Sequence, residues 1–345
     1  MVDLQSLKLE IGADSLSALP RDVSPREYFL GERAGKEFIL MLYPDASKDH
    51  IDEMLGFINI GKALSNAGLK TPELFEKNER ECYSLFEYLG GNSFGSYLRA
   101  NPDKAEHIYE LATDVLFTLK EKKTLSDGLP LYKQSRIHEN RRQVVDYYMA
   151  MQRKSKVNES TVISYLNVWD EIEYSLPPCP QGFVHGDYHL ENMIYVTHET
   201  GIKRCGLIDF QDALCGPLPY DLVNLLEDAR VDVPESIKNK MLDRYCRGMS
   251  ENDKSVFLDW YRVLGTQFHC RVIGLFIKLS IEQGRDAYLV HIERLQRYIV
   301  EALETPVLAP LKLWFEKEGL DFDSIKDLDG DIIRKTFETI SFDTK

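Results

Sequence analysis

Hydrophobic and polar positions change their period several times along this chain, and each change predicts a different element. Residues 1 to about 45 read as strands: Tyr28-Phe29-Leu30 and Phe38 to Leu42 are apolar runs separated by GERAGKE, a polar, turn-rich segment that predicts a hairpin. From Asp49 to Ala67 the pattern becomes helical, with apolar residues at 51, 54, 55, 58 and 64 and a stop at Gly68. Short strands are predicted around Glu73–Phe75 and Tyr83–Tyr88, and Gly90-Gly91-Asn92 then breaks the pattern. Beyond it, helices are predicted near 104–123, 136–154, 159–175, 235–248, 252–282 and 288–303. The exception is 182–211, where strands at Met193–Val196 and Cys205–Ile208 flank a polar turn. There is no internal repeat or low-complexity segment, and the pattern assigns nothing after 303. The expectation is an α+β protein of two lobes: a small β-rich N-terminal lobe, residues 1–88, and a larger helical C-terminal lobe, residues 89–345. A ligand is expected in the cleft between two such lobes.

Composition narrows the class of function. The chain has 345 residues, 43% hydrophobic and 28% charged, an ordinary globular make-up long enough for two lobes. Its formal charge of −14 opposes a sequence-independent hold on nucleic acid, which needs Lys and Arg against phosphates. His138-Glu139-Asn140-Arg141-Arg142 is the densest basic stretch and is too short to reverse this. Six Cys are scattered with no C-x-x-C pair, as expected of free thiols in a reducing compartment. MVDLQSLKLEIGADS lacks the basic start and apolar run of a signal peptide. No apolar run approaches the ~18 residues a membrane helix requires. The default is a cytoplasmic protein with a small-molecule substrate, no membrane and no obligate protein partner.

Candidate chemistry concentrates at VHGDYHLENMIY, residues 184–195, where ionisable side chains sit between apolar flanks. Burying such groups is costly unless they are paired or bind a metal. A zinc site would use His185 and His189, four apart, but Gly186 and the strand-like flanks oppose a helix, and an H-E-x-x-H site needs Glu next to the first His. A phosphotransferase loop fits better. Asp187 and Asn192 have the D-x-x-x-x-N spacing in which the Asp accepts the acceptor's proton and the Asn holds Mg²⁺. Such a site needs a second metal carboxylate on a strand downstream, and Leu207-Ile208-Asp209-Phe210 supplies Asp209. Mg²⁺ prefers oxygen ligands, which suits an amide oxygen and a carboxylate. The plain alternative makes Asp187 a turn residue and Asn192 a strand-end cap. His185 and His189 are expected to be structural.

HGDYHLEN followed by LIDFQDALCGPLPYDLVNLLEDAR resembles the aminoglycoside phosphotransferase and choline kinase-like superfamily, which has the protein-kinase-like fold. DFQDA-x-x-G-P-x-x-YDLV-x-LL-x-D is more particularly similar to bacterial anomeric kinases of N-acetylmuramate and N-acetylglucosamine. LPRDVSPREYFL with FILMLYPD, and WYRVLGTQFHCRVIGLFIKL, are similar to that branch's first hairpin and late helix. The resemblance covers roughly residues 17 to 300. It implies transfer of the γ-phosphate of ATP, with Mg²⁺, to a hydroxyl of a small molecule, an amino sugar in the branch it favours. Kinases of choline, homoserine or aminoglycosides stay open, as does a nucleotide-binding pseudoenzyme.

Departures from the pattern carry information. Phe268 stands where an Arg is usual in the late helix, and Met41 stands where protein kinases place the phosphate-binding Lys of strand three. Arg26, with Ser24 and the loop amides beside it, is the candidate to meet the phosphates instead. The joint at residues 86–89 places Glu87, Tyr88 and Leu89 as candidates for the adenine. Glu53 matches the acid of the first kinase helix and either bridges to Arg26 or is surface. Asp221 reads as the N-cap of DLVNLL; Gln211 and Asp212 either order Asp209 or touch the acceptor. GGNSFG reads as a linker, and the chain has no dinucleotide or P-loop motif.

Overall fold

The computed structural model describes residues 4–20, 26–322 and 328–342. In chain order the elements begin with α1 (Leu4–Glu10), β1 (Ser15–Ala18), β2 (Glu27–Arg33), β3 (Lys36–Leu42), α2 (Lys48–Asn66), β4 (Leu74–Asn78), β5 (Tyr83–Glu87), α3 (Phe94–Ala100) and α4 (Ala105–Glu121). They continue with α5 (Arg136–Glu139), α6 (Ala150–Arg153), α7 (Glu159–Ser175), β6 (Gln181–Val184), β7 (Met193–Tyr195), β8 (Cys205–Leu207) and β9 (Leu214–Pro217). The rest is helical: α8 (Pro219–Leu226), α9 (Glu235–Tyr245), α10 (Glu251–Gln283), α11 (Ile292–Leu303), α12 (Ala309–Glu318) and α13 (Gly330–Phe342). Two compact units emerge, one of residues 1–125 and 185–213, the other of residues 126–184 and 214–345. No described helix is long and apolar enough to cross a membrane.

The first unit is built on a five-stranded antiparallel sheet in the order β1-β2-β3-β5-β4. The expected hairpin is present, but its strands run into the polar GERAGKE segment and leave only Ala34-Gly35 as the turn, with φ of 50° and 73°. A two-residue turn with both φ positive matches the twist of its strands and pins the register, so that Tyr28 pairs with Met41. Strand alternation then puts Phe29, Phe38, Leu40 and Leu42 on one face, packed with Tyr83, Leu85, Leu7 of α1 and Ile11 just after it. Residues 4–10 are therefore helical and not extended: Leu7 and Ile11, four apart, form one apolar stripe that closes this face.

Helix α2 starts after Ser47, whose hydroxyl accepts from the His50 N–H, and it ends just before Gly68 at φ 93°. Its buried residues are Met54, Phe57, Gly61 and Leu64. GGNSFG is a linker only in part, because Ser93 caps α3 by accepting from the Ser96 N–H at 2.9 Å and Gly95 lies inside the helix. The β7–β8 ladder pairs Met193 with Leu207.

In the second unit, α10 is 33 residues long and has buried residues along most of its length. The helix expected over 136–154 is interrupted by a 3₁₀ turn at Asn140–Arg142 and a π turn at Val144–Met149. The backbone of α10 comes so close here that a Cβ at Gly274 would strike the Gln143 carbonyl. β6 and β9 pair with each other and were not expected; each has four residues, too short for an alternation signal. Asp221 is not an N-cap. α8 begins at Pro219, after Leu218, so Asp221 lies in its first turn and is buried.

Candidate active site

Three turns of the first unit bring the polar cluster together. After β6 ends at Val184, Gly186 takes φ 90°, a left-handed conformation that turns the chain and leaves the Asp187 side chain 59% exposed. A 3₁₀ turn, Leu190–Asn192, then leads into β7. Two residues beyond β8, Asp209 has φ 59°, a region non-glycine residues seldom occupy, at a cost of about 1 kcal/mol.

Hydrogen bonds orient the rings of both histidines. His185 Nδ1 accepts from the Asp187 N–H at 3.4 Å, so its proton sits on Nε2, 3.0 Å from the Ile208 carbonyl. His189 Nδ1 accepts from the Glu191 N–H at 3.2 Å, and its Nε2 lies 3.2 Å from both Asp187 Oδ2 and the Asn192 amide nitrogen. Both rings are buried and brace the loop.

Asn192 connects the two acids. Its amide nitrogen lies 3.0 Å from the Asp187 carbonyl, 3.1 Å from Asp187 Oδ2 and 3.5 Å from Asp209 Oδ2. Because carboxylates only accept, the NH₂ group must face them, and Oδ1 faces the other way. Asp209 is held from its other oxygen by Gln211 Nε2 at 3.0 Å, and the same nitrogen reaches Asp212 Oδ2 at 3.1 Å. Among the described residues no three of His, Cys, Asp and Glu gather as a metal cage. The oxygen donors of this cluster are the carboxylates of Asp187, Asp209 and Asp212 and the side-chain amide oxygens of Asn192 and Gln211.

Arg26 is buried, with Nε 3.5 Å from Glu53 Oε1. Burial pulls its guanidinium down, but Tyr28, Tyr43, Glu53 and Asp209 outweigh it, and its pKa rises above the ordinary value. Burial also pushes the Tyr28 phenol up to about 12. Met41 is buried, with no cation at its position. Ser24 lies outside the described residues.

At the end of β5, the Glu87 N–H is taken by the Glu73 carbonyl at 2.8 Å, and the Glu87 carboxylate holds Lys70 Nζ at 2.7 Å. Tyr88 is half-buried and Leu89 buried. Leu89 packs onto β8, where a Cβ at Gly206 would lie 2.7 Å from its Cδ1. The Glu87 side chain is thus a structural tie, and only its backbone carbonyl and the residues after it remain as contacts for a ring.

Two features were missed in the sequence. Glu191 is clamped to both ends of α3, by the hydroxyl of the capping Ser93 at 2.5 Å and by Arg99 Nη1 of the last turn at 2.7 Å. Burial pushes its carboxyl up, yet these bonds outweigh burial and hold it below the usual range. The second is a line of rings: Phe57 of α2 stacks on Phe210 at 4.5 Å and meets the Phe86 edge at 5.1 Å. Phe57 lies one turn beyond Glu53, and that spacing was the available signal. In the second unit, Phe268 is buried under the Arg271 guanidinium, 5.5 Å from its ring centre, while Gln267 donates to Glu173 at 2.9 Å.

An acid, an amide and a second acid on one braced loop and strand, with a buried cation beside them, form an arrangement suited to handling phosphate. A profile of the phosphotransferase enzyme family (APH) matches residues 15–255, and the chain belongs to that family. It is an enzyme, a small-molecule kinase, with the bilobal α+β protein-kinase-like fold. Similar curated proteins include the N-acetylmuramate/N-acetylglucosamine kinases of Pseudomonas aeruginosa, 27% identical over 88% of both chains. That of Caulobacter vibrioides is 28% identical over 76% of this chain and 74% of the relative. Among solved structures, the ADP-bound aminoglycoside phosphotransferase APH(2'')-Ib superposes with a TM-score of 0.57 at 15% identity, covering 88% of this chain and 97% of its own.

Proposed function

We propose that this enzyme transfers the γ-phosphoryl group of ATP to the anomeric hydroxyl of an N-acetylated amino sugar, with Mg²⁺, in the cytoplasm. The curated relatives are named for N-acetylmuramate and N-acetylglucosamine, and solved neighbours were crystallised with ADP or ATP; both support the choice of substrates. The observation that carries the reading is the Asn192 amide bridging Asp187 and Asp209. Residues 1–88 would be the nucleotide-binding lobe and 89–345 the catalytic and acceptor-binding lobe.

Each residue then has a task. Asp187, oriented by His189 Nε2 and the Asn192 NH₂, accepts the proton of the acceptor hydroxyl as its oxygen bonds to phosphorus and ADP departs. Asn192 Oδ1 and the Asp209 carboxylate are hard oxygen donors that fit Mg²⁺, and two protein ligands suffice for an ion that keeps water and phosphate oxygens. When bound, the ion would neutralise charge on the polyphosphate. Arg26, with Ser24, takes the phosphate-facing role that Met41 cannot fill. The backbone from Glu87 to Leu89 meets the adenine edge, with Leu89 against its face.

Transfer from labelled ATP, measured over a panel of amino sugars, aminoglycosides, choline and homoserine, tests this reading. Amino sugars are expected to be phosphorylated, and Asp187→Asn should lower turnover by about 10³-fold while ATP still binds. Equal turnover in that variant and the parent would remove Asp187 from its role. Transfer only to an amine-bearing acceptor would reassign the substrate.

A further inference from the structure

A cavity of about 480 Å³ opens in the first unit, and none of Arg26, Asp187, Asn192 or Asp209 lines it. Its volume lies in the range of small-molecule sites. Part of its lining is aromatic and continuous, the rings of Phe57, Phe86 and Phe210 already in contact with one another. The helix side is opened by Gly61, where an added Cβ would press to 3.0 Å from Phe210, and Thr71 Oγ1 donates to the Gly61 carbonyl at 3.0 Å.

The charges around this apolar surface are not balanced. Lys62, Lys70 and Lys203 line the cavity together with Glu73 and Glu199. Lys70 is already committed, 2.7 Å from Glu87 and 3.9 Å from Glu199. Lys62 and Lys203 come from separate elements, and among the described residues neither they nor Glu73 make a salt bridge, which leaves two unpaired cations against one unpaired acid. One cation in excess beside stacked rings suits a ligand with a flat apolar body and one negative group.

We propose that this cavity is a second small-molecule site, for an aromatic or similarly flat anion such as an aryl carboxylate or sulfonate, and that its occupancy tunes turnover. The route is physical. Phe57 is one turn beyond Glu53 on α2, and Phe210 follows Asp209. The Lys70 carbonyl accepts from the Leu207 N–H at 2.8 Å, two residues before Asp209. A molecule wedged against Phe57 and Phe210 shifts the balance of conformations at Asp209 to the extent that it binds them unequally. The regulatory half rests on the role given to Asp209 above; the binding half does not.

The probe is 8-anilinonaphthalene-1-sulfonate, a fused aromatic with one sulfonate, titrated by fluorescence against the full chain with and without saturating Mg²⁺–ATP. The expected result is one saturable site that persists with nucleotide present. Its affinity should fall about tenfold in Lys203→Glu, from reversal of one partly screened charge, and vanish in Ile58→Trp, which fills the cavity. Circular dichroism and melting temperature establish that both variants are folded. In turnover assays the probe should change kcat and leave KM for ATP as it was. Full displacement by ATP, or equal binding by parent and both folded variants, overturns the site. Retained binding with no effect on kcat overturns the regulatory half alone.

Discussion

Asn192→Asp exchanges one nitrogen for oxygen at constant size, so it isolates the electrostatics of the catalytic loop. The amide nitrogen is 3.1 Å from Asp187 Oδ2 and 3.5 Å from Asp209 Oδ2. A carboxylate oxygen in its place meets two like charges and offers no proton to either. Since Asp187 is 59% exposed, water screens the site, and each repulsion is worth a little over ~1 kcal/mol at the dielectric of water. The lost bond to the Asp187 carbonyl adds about 1 kcal/mol more. The variant should therefore be less stable by about 3 kcal/mol, a fall in Tm of roughly 6–12 °C for a unit of this size. Scanning calorimetry without divalent ions measures it. Adding millimolar Mg²⁺ should then raise the Tm of the variant more than that of the parent, because three carboxylates attract the ion more strongly than two and an amide. An unchanged Tm without metal would mean the amide does not lie between the acids. A Mg²⁺ shift no larger than the parent's would mean these oxygens do not converge on a cation.

Arg26→Ala should weaken ATP binding about 30-fold, the loss of one charge-assisted contact, with Arg26→Lys falling between it and the parent in calorimetric titration; equal affinities would return the phosphates to another cation. Gly95→Ala drives a methyl group into the Glu191 carboxylate and should break its bonds to Ser93 and Arg99, so that kcat falls while ATP affinity holds; unchanged kcat would make that clamp dispensable. Burial pulls His269 to about 4, against the raising effect of Glu227, and the native ring is neutral where the unfolded one gains a proton. With the folded pKa below the unfolded one, stability is level above pH 6.5 and falls as pH drops from there toward 4. Urea unfolding at pH 7 and pH 5 should show a loss on the order of 2 kcal/mol that His269→Gln reduces, and an equal loss in both proteins would place the acid sensitivity elsewhere.

What was legible in the sequence was local. Asp187, Asn192 and Asp209 lie within 23 residues of one another, and β7 and β8 between them are joined by a short connection, so spacing alone brings the side chains together. The period of α2 was equally plain, although the buried stripe runs through Phe57 and Gly61, because Phe210 from far along the chain packs there. β6 and β9 could not be seen: four-residue strands with no alternation declare themselves only when paired, and their partners lie beyond two further strands in the chain, from Val184↔Leu214 out to Gln181↔Pro217. The π turn at Val144–Met149 likewise answers to α10, distant in sequence, at Gly274. Asp221 misled because a carboxylate ahead of an apolar run is the usual start of a helix, and Pro219 starts this one two residues earlier.

The pairing of Arg26 with Glu53 was recoverable from the hairpin. GERAGKE contains Ala34-Gly35, and a two-residue turn there forces Arg33 opposite Lys36. Counting back from that pair sets Tyr28 against Met41 and carries Arg26 to the level of Tyr43, on the same face of the sheet, since residues two apart share a side. The opposite face is filled by Phe38, Leu40 and Leu42, which leaves a charge at 26 no apolar core to enter. It meets Glu53 from α2 instead, at 3.5 Å. The guanidinium just before β2 thus reaches the α2 acid from the strand next to β3, while position 41 on that same sheet face holds a buried methionine.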